Sequence, residues 1–293
     1  MKIKDIKKQY ELKDGSMYGE KNSNESIAML YHENSKFTDY IMRERGEKIA
    51  VFSNNPYIVE RSSQPFKCYP NHKTIQLNDY VQLRKESNIF QILNNRRSVR
   101  NFDENYKISL FEIANILYQS YGVTYKVKIN GFDNIDGHIG MRNIPSGGGL
   151  YPLEIYIVIF NSHIDSGLYH YRPDINELEL IKEGAFSEEL NKIIQAEPYV
   201  NMKSGSCIVI TTGILERLMI KYGDRGYRFL MQESGFLAQT ITLLAQALGL
   251  GSCMLGGYND DKVNEFIGID GLFETINNVI VLGKQNENVQ CEI

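Results

Sequence analysis

Lys221 and Tyr222 place an amine beside a phenol, two groups whose unperturbed pKa values lie near about 10 and either of which can move a proton if its surroundings lower that value. They sit in Arg217-x-x-x-Lys221-Tyr222-Gly223-x-Arg225-Gly226-Tyr227-Arg228, whose arginines could supply the lowering field. Lys-Tyr dipeptides are common on surfaces, so the pair alone points no further. Arg96-Arg97-Ser98-Val99-Arg100 packs three guanidinium groups and a hydroxyl into five residues. That set suits a phosphate, because the guanidinium fork bonds it bidentately, and equally suits a solvated basic patch. Pro145-Ser146-Gly147-Gly148-Gly149-Leu150-Tyr151-Pro152-Leu153-Glu154 puts three glycines before a strongly apolar run. Such a run costs conformational entropy, and it is better explained by a backbone left open to a flat cofactor than by chance. Gly256-Gly257 offers a second place where backbone could approach a planar ligand, or an ordinary tight turn.

Other chemistries are excluded by spacing. Gly249-Leu250-Gly251 is followed by Met254 where a dinucleotide fingerprint needs glycine, and Gly251 to Gly256 has phosphate-loop spacing but continues Gly257-Tyr258 in place of Lys-Ser/Thr. Cys68, Cys207, Cys253 and Cys291 are too dispersed for a zinc site or a redox pair and read as reduced thiols. There is no H-E-x-x-H, and His163 with His170 reads as surface chemistry and not as a metal pair. No metal site is expected. The 293 residues carry 32 basic and 36 acidic side chains, a net charge of −4 with a pI near 5.8. That leaves no basic footprint for nucleic acid. Mean hydropathy is −0.33 and no apolar run approaches the ~18 residues that cross a bilayer. The start has a basic tip without a signal peptide's apolar stretch, so the expected compartment is the cytoplasm.

The elements that must position these groups read as follows. Residues 1–86, rich in Lys, Asn, Ser and Tyr, form an extension with a helix around 24–44 and an irregular stretch, RSSQPFKCYPNHKTIQL. Ile89, Phe90, Ile92 and Leu93 begin a short helix running into the arginine cluster. Ser109-Leu110-Phe111-Glu112 has the form of a capping box, followed by apolar residues at helical spacing to Tyr121 and a stop at Gly122. Leu153–Phe160 is a central strand covered on both faces, and Leu168–Tyr171 with Leu178–Ile181 flank turn residues as a hairpin. Cys207–Thr212 and Val279–Leu282 are buried strands, and 226–248 is one long helix closed by Gly249. Strands and helices mix without βαβ alternation, which favours an α+β fold with helices around one sheet.

In register along the chain, these segments resemble the SagB-type (ThcOx-like) dehydrogenases of the FMN-dependent nitroreductase superfamily. The resemblance rests on Tyr31-His32-Glu33-Asn34-Ser35-Lys36, the arginine cluster, the triple-glycine segment, Gly167-Leu168-Tyr169-His170-Tyr171, Lys221 to Arg228, and Leu248 to Cys253 with Gly256-Gly257-Tyr258. Phe236 and Thr240 depart from it, standing where His and Asn are usual after the helix glutamate, Glu233.

The resemblance implies a nitroreductase-like sandwich, a central mostly antiparallel sheet surrounded by helices, with the extension at 1–86 and an FMN-binding domain at 87–293. It implies a homodimer with FMN at the subunit interface. By the same token, Arg96 and Ser98 would hold the phosphate or ribityl end with Lys284 as a further phosphate partner, Arg100 would approach the ring, and Arg97 would belong to the same cofactor-binding set. Pro145, Ser146, Gly147, Gly148, Gly149, Gly256 and Gly257 would meet the isoalloxazine, and Lys221 with Tyr222 would remove a proton. The implied activity is oxidation of thiazoline or oxazoline rings in a ribosomally made peptide to thiazole or oxazole, in a cytoplasmic complex with a cyclodehydratase. Two alternatives stand beside it: an NAD(P)H-dependent flavin nitroreductase or quinone reductase, and a flavin-binding scaffold that does not turn over.

Overall fold

The computed structural model describes residues 27–63, 66–82, 88–128 and 138–286. Numbered along the chain, its strands are β1 (Thr74–Gln76), β2 (Val123–Lys128), β3 (His138–Arg142), β4 (Leu153–Ile159), β5 (Gly167–Arg172), β6 (Glu177–Glu183), β7 (Cys207–Ile214), β8 (Gly251–Leu255) and β9 (Glu274–Gly283). The helices are α1 (Ile27–Asn34), α2 (Asp39–Asn54), α3 (Pro56–Ser63), α4 (Ile89–Asn95), α5 (Leu110–Tyr121), α6 (Ser187–Ile193), α7 (Leu215–Tyr222), α8 (Arg225–Ala247) and α9 (Asp260–Ile267). Contacts divide the chain into two units, 1–46 and 47–293.

In the second unit, seven strands form a sheet in the order β1-β6-β5-β4-β7-β9-β8, every pairing antiparallel. β2 and β3 make a separate ribbon. The α+β sandwich expected from sequence is present. The period of two along each strand separates the core into two layers. Leu153, Ile155, Ile157 and Ile159 of β4, Val209 of β7 and Ile280 of β9 join Ile113, Leu117, Leu237 and Ile241 of α5 and α8. Tyr156, Val158, Ile208, Val279 and Val281 face the other way, onto Leu190 of α6 and Val263 and Phe266 of α9. The near-continuous apolar run of β4 thus serves two layers at once, and all seven of its residues are buried.

The helix signals resolve individually. Ser109 caps α5 as a full capping box, its hydroxyl accepting from the Glu112 N–H at 3.2 Å while Glu112 accepts from the Ser109 N–H at 2.8 Å. Ser109→Ala should therefore cost ~1 kcal/mol in equilibrium denaturation. α4 ends at Arg96, as its sequence indicates, and α8 ends before Gly249, which takes φ +75°. The helix expected around 24–44 is corrected: residues 24–26 lie outside the described region, α1 stops at Asn34, and α2 starts at Asp39 and runs on to Asn54. The break has a local cause, since Asn34 and Ser35 side chains donate to the Leu30 and Tyr31 carbonyls and Thr38 Oγ1 accepts from the Ile41 N–H, opening a new helix. In the irregular stretch, Thr74–Gln76 pairs with β6 as the edge strand β1. No helix among the described residues is long and apolar enough to cross a membrane.

Candidate functional site

α7 carries Lys221 and Tyr222 in its last turn, and Gly223 ends it. The pair lies against the triple-glycine loop: a Cβ built on Gly148 would stand 2.6 Å from the Tyr222 hydroxyl and 3.0 Å from Lys221 Nζ. Gly148 has φ +66° and is exposed, so the loop presents bare backbone on one side and receives the amine and phenol on the other. Gly148→Ala should lower stability by ~1–2 kcal/mol through the left-handed backbone alone and push the pair away, readable as a lower thermal midpoint.

Lys221 Nζ also lies 5.1 Å from the Phe52 ring centroid and 5.6 Å from that of Tyr222. Burial lowers the Lys221 pKa below its ordinary range, and burial raises that of Tyr222. The field expected from the flanking arginines is not what acts. Arg217 is bound to Glu154 at 2.6 Å, and desolvation alone moves Lys221.

Behind the loop is a buried polar layer. Tyr151 is strained at φ +44° and tethered three times: its N–H donates to Ser146 Oγ at 2.8 Å, its carbonyl accepts from Arg217 at 3.2 Å, and its hydroxyl accepts from the Arg142 N–H at 2.9 Å. Glu233 of α8 is 1% exposed; its Oε1 accepts from the Tyr121 hydroxyl at 3.3 Å and the Ser146 hydroxyl bonds the same carboxylate, while Oε2 has no protein partner. Burial outweighs those hydrogen bonds and the fields of Arg142 and Arg217, and pushes the Glu233 pKa up to about 7. The Arg142 guanidinium stacks 4.2 Å from the Tyr121 ring and 4.9 Å from the Tyr151 ring.

Glu154 is also buried, bonded on one side by Arg217 and on the other by His170 Nε2 at 3.0 Å. Burial opposes its ionisation, but Arg217 and His170 prevail and hold it at about 2. His170 Nδ1 meets Glu179 at 2.9 Å, and Glu179 meets Arg172 at 3.2 Å. The surface reading of His170 is thus corrected: the side chain is fully buried, and although burial opposes its charge, hydrogen bonds to Glu154 and Glu179 raise its pKa. His163 is exposed. A signal for this layer existed in Glu154 itself, a lone acid in an apolar strand that requires a buried partner. Its partners come from β5 and α7, which no local spacing reveals.

The arginine cluster borders a separate cavity. Arg97, Ser98 and Arg100 line a cavity of about 310 Å³ with Gln246, Gly249 and Gly251. Lys284 Nζ reaches the Gly249 carbonyl at 2.8 Å beside it, at the C-terminal end of α8. Arg97 bonds the Asn94 and Arg96 carbonyls, so part of its guanidinium closes α4; Arg96 is half-buried at that helix end and does not line the cavity. Gly256 has open space around it, whereas Gly257 is held by its carbonyl to the Gln195 N–H at 2.6 Å. Pro145 is exposed, preceding Ser146. Phe236 is exposed and Thr240 half-buried on α8. The residues singled out in sequence therefore gather in two clusters: Ser146 to Gly149 with Lys221 and Tyr222, and Arg97, Ser98 and Arg100 with Lys284.

The nitroreductase family's sequence profile matches residues 93–284, which spans both clusters. The chain belongs to the nitroreductase family. Among members of that family, a nitroreductase of Methanocaldococcus jannaschii is 30% identical over 196 residues, covering 67% of this chain and 89% of that one. The microcin B17-processing protein McbC of Escherichia coli is 30% identical over 161 residues, 50% of this chain and 55% of McbC. Among solved nitroreductase structures, one from Anabaena variabilis superposes with a TM-score of 0.65 at 25% identity, covering 88% of this chain and 46% of that one. The E. coli microcin synthetase McbBCD complex with truncated pro-MccB17 bound matches in fold, with a TM-score of 0.56 at 20% identity over 90% of this chain and 100% of the matched chain.

Proposed function

We propose that this nitroreductase-family chain is an FMN-dependent dehydrogenase that oxidises thiazoline or oxazoline rings of a ribosomally made peptide to the aromatic azoles. The observation that carries the reading is the placement of Lys221 and Tyr222 against the bare backbone of Gly148, which sets a proton-transfer pair beside a surface open to a planar group. Similarity to McbC, a peptide-processing protein, supports the substrate class.

The residues suit FMN in two respects. Two arginines and a serine line one cavity with a lysine beside it, matching a single phosphate, and the glycine loop leaves a flat backbone face for a ring. FMN, when bound, supplies the acceptor for the hydride that leaves the azoline Cβ. Lys221, whose pKa desolvation lowers, takes the acidic Cα proton. Tyr222, whose phenol burial keeps protonated, donates a hydrogen bond to the heterocycle. Arg97, Ser98, Arg100 and Lys284 hold the phosphate end.

A second copy of the chain fits this reading. Glu233 touches the glycine loop and Gln246 lines the arginine cavity, and the thirteen helical steps of α8 from one to the other span ~20 Å. In a homodimer the loop of one subunit meets the arginine cavity of the other. Tyr227 and Met231, four residues apart on α8, form an exposed apolar pair suited to that contact. The peptide would reach the enzyme from a cyclodehydratase, the class of enzyme that makes azolines.

The test is incubation of FMN-loaded protein with a thiazoline peptide, followed by mass spectrometry. Loss of two hydrogens per ring, without added NAD(P)H, supports the reading. Steady NAD(P)H oxidation with a nitroaromatic, and no change in the peptide, would instead assign a flavin reductase. A colourless protein that cannot be reconstituted with FMN would overturn both.

A further inference from the structure

We infer that Arg217 is the positioning residue for Lys221 and Tyr222: gripped by Glu154 and by the Tyr151 carbonyl, it fixes the register of α7 against the glycine loop. The inference rests on the proton-transfer reading of that pair. α7 has eight residues, too few to persist without tertiary contacts. It grips the loop in three steps. Leu218 lies 3.4 Å from where a Gly147 Cβ would stand, Tyr222 covers Gly148, and Arg217 bonds the Tyr151 carbonyl at 3.2 Å. Leu218 and Tyr222 share one helix face, Arg217 and Lys221 the next, each pair four residues apart.

The grips differ in kind. The Leu218 contact is apolar and tolerates sliding or rotation, whereas Arg217 is fixed by a directional hydrogen bond to the Tyr151 carbonyl and by a close, buried ion pair with Glu154. The other side of α7 does not constrain it equally, because it borders a cavity of about 610 Å³ lined by Phe52, Ile58, Ile214, Arg217 and Ile220. With room on that side, the polar tether decides where the last turn sits. Glu154 is itself immobilised. It lies in β4 opposite Thr212, three residues before α7 begins, and His170 holds it from the far side. Beyond His170 the signs alternate through Glu179, Arg172 and Asp174, with contacts of 2.6–3.2 Å along the whole row. The tether therefore refers the position of Lys221 to the centre of the sheet.

The experiment reads Lys221 directly. Competitive acylation of the purified full-length chain with acetic anhydride across pH, followed by mass spectrometry, reports the pH at which Lys221 becomes reactive; melting curves and flavin content are recorded alongside. In Arg217→Met and Glu154→Gln the Lys221 midpoint should rise toward the ordinary lysine value of 10.5 as the turn swings to solvent, with Arg217→Lys intermediate. In the same variants kcat for azoline oxidation should fall ~10²-fold with KM little changed, the cost of a displaced catalytic group.

A role in stability alone would lower the melting temperature and leave the midpoint where it is. That outcome in any folded variant overturns the inference. Should Arg217→Met fail to fold, Arg217→Lys and Glu154→Gln decide it in the same way. If the midpoint moves as expected while Lys221→Ala oxidises azolines at the wild-type rate, the positioning role stands and the proton-transfer reading falls.

Discussion

Lys221→Ala should slow azole formation by ~10²–10⁴ while the protein keeps its FMN, and Tyr222→Phe should slow it by less. The inequality follows from the opposite directions of the two pKa shifts. Desolvation favours the neutral form of each, which makes the amine a better base at moderate pH and keeps the phenol a donor. Wild-type activity should therefore rise with pH as Lys221 loses its proton, with a midpoint below 10.5, and Lys221→Ala should flatten that limb. Reduction by NAD(P)H, where it occurs, should change little in either variant, because hydride delivery needs no protein base. Wild-type azoline oxidation in both variants would leave a flavin-binding scaffold as the better reading. Loss of FMN in both would make the pair structural.

The second large effect is on stability and comes from Glu233. Its folded pKa of about 7 lies above the ordinary 4.5, so the folded state binds its proton more tightly than the unfolded state does. Between those two values stability must fall as pH rises, and outside them this group contributes no slope. A shift of that size corresponds to about 3 kcal/mol. Glutamine resembles the protonated carboxyl and can still accept from Tyr121 and Ser146. Glu233→Gln should thus be nearly neutral at about pH 4.5 and stabilise by up to about 3 kcal/mol above about pH 7. Denaturant titrations at three pH values measure the difference. His170 and Glu154 titrate in both proteins and cancel from it: His170 contributes stability present below pH 6.5 and lost as pH rises through its raised value, Glu154 stability present above pH 4.5 and lost toward about 2. A difference independent of pH would mean that Glu233 is not the buried, half-satisfied carboxyl described above.

Much of this architecture was legible because it is local. A capping box at Ser109 needs only the next three residues, and β4 declares itself by six apolar or aromatic positions broken by a single acid. The glycine segment and the Lys-Tyr pair were visible as motifs, and their meeting at Gly148 gives them a common place. What could not be read depends on partners distant in sequence. His170 looks like a surface histidine until β4 and β6 put a carboxylate on each of its nitrogens. Lys67 lies in a stretch without regular structure, yet its ammonium reaches Tyr156 and Glu274 across the sheet. Arg217 reads as one more cation near Lys221, and only the register of β4 against β7 brings Glu154 close enough to neutralise it. The helix break at Ser35 was hidden for a different reason, since small polar side chains there compete with the main chain for its own carbonyls.

The way β8 ends the sheet has a consequence for how the chain behaves in a crowd. A sheet border normally exposes a row of main-chain donors and acceptors that can recruit another strand. Here Ser98 bridges Ser252 and the Val99 N–H donates to the Ser252 carbonyl at 2.9 Å, so the arginine segment lies along β8 as a cover. The fit is close: a Cβ on Gly251 would stand 2.8 Å from Val99, which is why a residue without a side chain opens that strand. At the opposite border β1 is three residues long, too short to template an extended partner. Both borders are blunted, and the residues that could cradle a phosphate also guard one of them. Among the described residues, strand addition at either border of the seven-stranded sheet meets a covered or a very short edge.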